Sequence, residues 1–563
     1  MGEVKAGSAQ WWRTAVIYQV YPRSFADSDG DGIGDLPGLL SRLDYLVDLG
    51  IDAIWISPFY PSPLNDGGYD VADYRGVDPR LGTLDDMRAL VDQCHRHGLR
   101  VLMDIVPNHS SSEHPWFTEL LASSPGSPAW DRYIVRPGRG PQGAEPPNNW
   151  TSVFHGPAWS QLMDAEGAPT GYWYLHLFDS TQPDFDWTNP QVLEDFDQTL
   201  RFWFDLGIDG FRIDVAHGMA KEAGLPDQVL QTSEDGLLAE RRTPYWDQDE
   251  VHEIYRRWRA IADGYDPPRV FCGEAWVESE ERLANYLRAD ELHTSFNFEY
   301  LKAGWDAERM REVIDQTIAS HRAIDAPPTW VLSNHDVVRH RTRLSPGHEE
   351  GTPDEEEGLA RARAATAFAL ALPGSMYLYQ GEELGLVEVD LPDEVRQDPA
   401  WHRSGGTDGF RDGCRVPIPW TDQGPHHGFG PGDQSWLPQP EHWAALSVAA
   451  QQADPSSTLN MYRELLRIRR EQSALQADGM TWLPELADVP SALGLRRSDD
   501  AGCAVDVIVN LAERSLELPT SLGTAVLVAS SDMVAILDGH GTDGQDGPRL
   551  VIGPSTCVWL QAA

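Results

Sequence analysis

Short apolar runs punctuate the chain at wide intervals. They fall at residues 15–22, 53–58, 100–107, 210–215, 270–274, 294–298, 330–336 and 375–380. Runs of this length bounded by turn residues predict strands. Between the first two, Leu39, Leu40, Leu43, Leu46 and Val47 recur at helical spacing, predicting a helix over residues 37–49 with Gly50 past its end. A second helix is predicted over 83–98, with Thr83 as its N-cap, and a third over 189–206. Strand and helix in strict alternation predict a parallel sheet, and eight strands predict an α/β fold of the (β/α)8 barrel type.

The rhythm breaks twice. Residues 110–181 are rich in Trp, Pro, Gly and Ser and carry no long periodic helix, which predicts a small domain inserted after strand 3. From residue 477 short strands with turn signals take over, at 504–510, 515–518, 525–529 and 549–551, and predict a C-terminal β-sandwich. The expected division is 1–109 with 182–476 as barrel, 110–181 as inserted domain and 477–563 as sandwich.

The fourth strand carries a charge pair inside an apolar run, Gly210-Phe211-Arg212-Ile213-Asp214-Val215. Alternation puts Arg212 and Asp214 on one face and Phe211 and Ile213 on the other. Buried charges of this kind need partners. The arginine is expected to lower the Asp214 pKa and keep it ionised, as a nucleophile requires. His109, Asp214, Glu274, His335 and Asp336 all fall at the C-terminal ends of predicted strands, the face where barrels keep their chemistry. Three carboxylates there, with environments that can separate their pKa values, are equipment for glycoside hydrolysis.

A second carboxylate group follows strand 1, in Asp27-Ser-Asp-Gly-Asp-Gly-Ile-Gly-Asp35. Acids at alternate positions with glycines between them are similar to the first half of a calcium loop, without the bidentate Glu of an EF-hand. Asp27, Asp29, Asp31 and Asp35 are the candidate ligands, with the Ile33 carbonyl as a fifth oxygen, and the ion's role is expected to be structural.

Composition narrows the partners. Acidic residues number 88 against 44 basic, a net charge of −44. Such a surface repels nucleic acid and anionic membranes and suits a neutral ligand. Lysine is confined to Lys5, Lys221 and Lys302, so arginine carries the positive charge. Five scattered cysteines with no CxxC pairing indicate neither a zinc site nor a disulfide framework. Met1 to Gln10 has no apolar leader core, and no run is long enough to span a bilayer, so a cytoplasmic location is the default expectation. A monomer or small homo-oligomer is expected.

Four segments, Asp104-Ile-Val-Pro-Asn-His109, Gly210-Phe-Arg-Ile-Asp214, Gly273-Glu274-Ala275 and Ser333-Asn-His-Asp336, resemble the four signature regions of the α-amylase superfamily of glycoside hydrolases, in the family's order. The chain is similar to its α-glucosidase and oligo-1,6-glucosidase branch, and the aspartate loop to that branch's calcium or magnesium loop. The resemblance implies Asp214 as nucleophile, Glu274 as general acid/base and Asp336 as stabiliser of the distorted sugar. It implies that Arg212 holds Asp214 and that His109 and His335 bind glucose hydroxyls. Asp66 and Tyr69, in Asp66-Gly-Gly-Tyr69, match residues that bind and stack under the non-reducing glucose. Phe154, Phe178 and Gln182 match pocket positions, and Arg411 a pocket-closing arginine, although Val416-Pro-Ile-Pro-Trp420 departs from the usual continuation.

The implied function is an exo-acting retaining α-glucosidase on small oligosaccharides or disaccharides, with Ca²⁺ or Mg²⁺ and no organic cofactor. Linkage signals conflict. Val215 and Gln182-Pro-Asp-Phe-Asp186 resemble α-1,6 enzymes, though Phe185 and Asp186 replace the usual Leu-Asn, while Asp214-Val-Ala-His217 resembles enzymes of maltose-type α-1,4 links. The resemblance implies a covalent glucosyl–Asp214 intermediate, and a sucrose or trehalose isomerase or a transglucosylase would use the same one. A transporter-associated subunit of the superfamily would carry a membrane span and usually lack the carboxylates kept here.

Overall fold

The structure, a computed structural model, describes residues 10–232, 238–240, 243–409, 411–519, 522, 525–537 and 549–562. Eight parallel strands form the barrel: β1 Val16–Val20, β2 Ala53–Ile56, β3 Arg100–Ile105, β4 Gly210–Ile213, β5 Val270–Gly273, β6 Thr294–Ser295, β7 Thr329–Val331 and β8 Ser375–Tyr379. They are laddered in the order β6-β5-β4-β3-β2-β1-β8-β7. The seam between β6 and β7 is bridged where the Asn297 N–H donates to the Thr329 carbonyl at 3.0 Å.

Alternation along each strand divides the apolar residues into two cores. Ile17, Trp55, Leu102, Cys272, Phe296, Val331 and Tyr377 fill the barrel interior. Their neighbours Tyr18, Ile54, Val101, Phe211, Phe271 and Trp330 pack outward with the helices. The register sets Asp104 of β3 beside Arg212 of β4, and Arg212 beside Cys272 of β5. In-register residues on parallel neighbours share a face, so two charged side chains stand together at the top of the interior layer.

Boundaries differ from expectation in instructive places. The helix expected over 37–49 is two, Leu36–Ser41 and Leu43–Leu49, broken at Arg42, whose φ is −108°. Gly50 closes the second with φ of 91°, a left-handed cap. Thr83 caps Leu84–Arg96 through a reciprocal hydrogen-bonded box with Asp86. β6 stops early because Asn297 caps a helix, Phe298–Lys302, so Phe298 belongs to a helix and not to a strand. β4, β5 and β7 also end sooner than expected, leaving Asp214, Glu274, His335 and Asp336 in the turns just beyond them.

Between β3 and β4 the chain makes a helix, Pro115–Ala122, and a three-stranded antiparallel sheet of Val135–Pro137, Pro169–Leu175 and Trp159–Met163. Beyond the barrel lie a five-stranded and a three-stranded antiparallel sheet. Ile508, Val558 and Leu560 of one share a core with Leu518, Leu550 and Ile552 of the other. Four of these strands, Gly479–Trp482, Ala492–Ser498, Val534–Leu537 and Thr556–Gln561, were not anticipated. Among the described residues no helix is long and apolar enough to cross a membrane. The stretch read as lacking a leader, Met1 to Gln10, lies outside the described residues except for Gln10.

Just after β8, Glu382 is 3% exposed and neither carboxylate oxygen has a hydrogen-bond partner. Burial, with Glu383 adding to it, pushes its pKa up to about 8. The folded chain therefore keeps a proton that the unfolded chain has released. Stability relative to Glu382→Gln should fall by at most about 1.4 kcal/mol per pH unit as pH rises from about 5 to 8, and then level off. Denaturant titrations of both proteins at the two pH values check this; a constant gap would refute it.

Candidate active site

One guanidinium organises the barrel mouth. Arg212 Nη1 donates to Asp104 Oδ1 at 2.6 Å and to Asp214 Oδ1 at 2.7 Å, while its Nη2 lies 2.7 Å from Glu274 Oε2. The three carboxylates come from β3 and the turns after β4 and β5. The other Asp104 oxygen accepts from Trp55 Nε1 at 2.9 Å and from the Tyr69 hydroxyl at 3.1 Å. Arg212 also sits over the rings of Trp55 and Tyr69, at 5.1 and 5.8 Å.

The electrostatics correct the simple expectation for Asp214. Arg212 does pull its pKa down, but burial outweighs that, and Glu274 and Asp104 push it further up, so it stands well above the usual carboxylate range. Burial likewise lifts Asp104 to about 6 against the pull of Arg212. Three carboxylates share one cation, and a desolvated cluster with that charge count favours retaining a proton.

The next wall is aromatic. Tyr69 stacks on His335 with centroids 5.1 Å apart and planes 8° from parallel. Gln19 Nε2 lies 2.7 Å from His335 Nδ1, and His335 Nε2 lies 3.1 Å from Asp336 Oδ2. Burial lowers the His335 pKa to about 3, so the ring is neutral at neutral pH.

A second ionic knot faces the first. Asp336 Oδ1 takes Arg411 Nη1 at 3.1 Å and Arg415 Nη2 at 2.8 Å. Burial raises the Asp336 pKa, yet His335, Arg411 and Arg415 outweigh it and hold the carboxyl well below its usual range. Arg411 also reaches Asp66 Oδ1 at 2.9 Å and Asp398 Oδ1 at 2.8 Å. Its guanidinium lies 5.0 Å from the Phe154 ring centroid. Phe154 meets Phe178 edge-on, and Phe178 meets His109. Gln182 Nε2 donates to Asp66 Oδ2 and lies 3.1 Å from His109 Nε2.

These residues surround a cavity of ≈ 630 Å³. Asp214, Glu274, Asp336, Asp66, Tyr69, His109, Phe154, Phe178 and Arg411 line it. His335, Gln182 and Arg212 do not; they are buried immediately behind the lining and act on it through Asp336, Asp66 and Asp214. Sequence reasoning assigned no role to Asp104, Asp398, Arg415, His217, Trp246 or Trp276. Asp104 and His217 lie within the quoted motifs, and Arg415 lies four residues beyond Arg411. Asp398, Trp246 and Trp276 belong to loops that only the fold brings to the cavity. Val215 adopts φ of +47°, strained for a β-branched residue, and its N–H donates to Glu274 Oε2 at 3.1 Å.

The aspartate loop lies apart from this cavity. Asp27, Asp29 and Asp35 each offer a carboxylate oxygen, and these lie within 4.8 Å of one another. Asp31 is not part of that group; its carboxylate accepts the Ile33 N–H at 2.8 Å. Asp27 accepts N–H groups of Asp29, Gly30 and Gly32, which fixes its orientation. Gly30 and Gly32, with φ of 87° and 88°, allow the tight turns.

The family model for the α-amylase catalytic domain matches residues 19–478. The chain is 39% identical over 481 residues to a probable α-glucosidase of Rhizobium meliloti, with 83% of each chain covered. It is 34% identical over 494 residues to an oligo-1,6-glucosidase of Parageobacillus thermoglucosidasius, covering 83% of this chain and 84% of the other. Among solved structures it resembles the α-glucosyl transfer enzyme XgtA, with a TM-score of 0.83 and 37% identity over 98% of this chain and 99% of that one. It also resembles the trehalulose synthase MutB of Pseudomonas mesoacidophila, with a TM-score of 0.84 and 29% identity over 99% and 100% of the two chains.

Arg411→Met should remove the cation paired with Asp398, which is fully buried, and leave Asp336 with Arg415 but one guanidinium fewer. Both have depressed pKa values in which Arg411 has a part. Their contribution is therefore complete above the usual carboxylate range and lost as pH falls through the depressed values. The destabilisation should be about 3 kcal/mol near neutrality and smaller in acid. Thermal melts of both proteins at pH 7 and at about pH 3 check it; a gap independent of pH would refute the assignment.

Proposed function

The chain belongs to the α-amylase family of glycoside hydrolases, and from that premise we propose that it is an exo-acting retaining α-glucosidase releasing glucose from the non-reducing end of short α-glucosides. The observation that carries the reading is the pair Asp214 and Glu274 bound to the two ends of one guanidinium. Carboxyls tethered that closely suit a retaining pair, at about 5–5.5 Å, better than an inverting pair spaced for a water at about 6.5–9.5 Å.

In this mechanism the proton retained by the cluster is carried by Glu274, which leaves Asp214 ionised against Arg212 to attack the anomeric carbon while Glu274 gives that proton to the departing oxygen. Glu274 then takes a proton from water as the water displaces Asp214. Asp336, kept ionised by Arg411 and Arg415, accepts hydrogen bonds from sugar hydroxyls as positive charge develops on the ring. Tyr69 offers its ring to the sugar's apolar face, and Asp66, steadied by Gln182 and Arg411, binds the far hydroxyls. His109 supplies another hydroxyl contact. Low affinity for anionic partners follows from the net charge of −44.

A second reading, glucosyl transfer or isomerisation through the same intermediate, draws support from the likeness to XgtA and MutB. Incubation with maltose, isomaltose, trehalose and sucrose separates the two. Free glucose from at least one disaccharide is expected. Isomeric disaccharides without glucose would favour the second reading.

The donor set of Asp27, Asp29 and Asp35 suits a hard cation, and we assign it Ca²⁺ or Mg²⁺ with a structural role. The free thiols support a reducing compartment, and the cytoplasm is the location we propose.

Two tests follow. NMR of early hydrolysis should record α-glucose first; initial β-glucose would exclude retention. Excess chelator should lower the melting temperature, while an unchanged melt together with no metal by elemental analysis would remove the ion from the proposal.

A further inference from the structure

Glu274 has two unequal oxygens. Oε2 is held by Arg212 Nη2 at 2.7 Å and by the Val215 N–H at 3.1 Å. Oε1 takes one donor, the indole N–H of Trp276, at 3.2 Å. A carboxyl oxygen engaged by a guanidinium and an amide is committed as an acceptor, so the transferable proton belongs on Oε1. That oxygen keeps a lone pair for the indole when protonated, and the indole fixes which way it faces.

Trp276 is itself firmly placed. Its ring lies parallel to Phe298, centroids 3.7 Å apart and planes 5° from parallel. Its backbone N–H donates to His217 Nδ1 at 3.4 Å. The Lys302 ammonium lies 4.9 Å from its centroid. Yet the residue is 39% exposed. It borders both the main cavity and a neighbouring one of ≈ 380 Å³ lined also by Phe298, Glu299 and Lys302. A large aromatic face open to the cleft beside the acid is where a departing sugar or aryl alcohol would rest.

Resting on the α-glucosidase reading, we propose that Trp276 is a positioning residue whose indole N–H aims Glu274 Oε1 at the glycosidic oxygen. In the first step the Oε1 proton passes to the glycosidic oxygen as the bond to the anomeric carbon breaks and the Asp214 ester forms. The alcohol leaves neutral, and the indole N–H stabilises the carboxylate left behind. In the second step water gives a proton to Oε1, its oxygen bonds the anomeric carbon, and Asp214 is released.

Two aryl α-glucosides of similar ring size separate aiming from platform. Phenyl α-glucoside needs its leaving oxygen protonated, and 4-nitrophenyl α-glucoside needs this far less. Trp276→Phe keeps a ring against Phe298 but has no N–H. Its kcat/KM should fall about tenfold more on the phenyl than on the nitrophenyl substrate. Phe298→Leu leaves the indole in place and loosens its support, and should show the same selectivity more weakly; it decides the matter if the first variant does not fold. Equal losses on the two substrates would overturn the proposal and leave Trp276 as a platform only. A wild-type enzyme that cleaves neither glucoside would overturn the α-glucosidase reading, and this inference with it.

Discussion

The structure depends on one ion cluster, Arg212 with Asp104, Asp214 and Glu274, placed where water cannot help it. Burying four charged groups is unfavourable unless each is paired and hydrogen-bonded. Everything around the cluster serves that requirement. The parallel register aligns Asp104 with Arg212. Trp55 and Tyr69 satisfy the outer oxygen of Asp104. The strained turn at Val215 delivers an N–H to Glu274. β3, β4 and β5 are neighbouring parallel strands whose ends point the same way, so one side chain on the middle strand reaches all three.

Much of this was legible in the chain. Period-two alternation in Gly210–Ile213 forecast the Arg212–Asp214 pair, and strand ends forecast which residues would share a face. The direction of the Asp214 shift was not legible, because it depends first on how completely water is excluded and then on Glu274 and Asp104, which are distant from it in sequence. Trp276 and Asp398 were invisible for a related reason. Neither lies in an apolar period, and their partners Glu274 and Arg411 are chosen by loop conformation. The strand Ala492–Ser498 was missed because its buried Arg497 reads as polar, although the guanidinium is spent on the Ala371, Ala477 and Gly479 carbonyls. The break at Arg42 left the apolar spacing on either side intact, so periodicity alone ran through it.

The scarcity of lysine takes on meaning at the site. The cations that meet the acidic residues of the cavity, Arg212, Arg411 and Arg415, are guanidiniums, each serving several acceptors at once. A lysine ammonium is a point charge and cannot span three carboxylates in fixed geometry. Lys221, buried nearby, occupies a narrower niche against Asp184 and Asn108. Arginine therefore lets a chain with net charge −44 keep a neutral-sugar pocket ionised in detail yet ordered.

The wall formed by Asp66, Arg411 and Asp398 also bounds one side of the cavity. It is locked by ion pairs and backed by Phe154. On the exo-acting reading proposed above, a sugar seated against such a wall would have to leave after the alcohol, through the opening the alcohol vacated. Free glucose would then compete with substrate for the pocket, and a long polymer could not be threaded from one cut to the next.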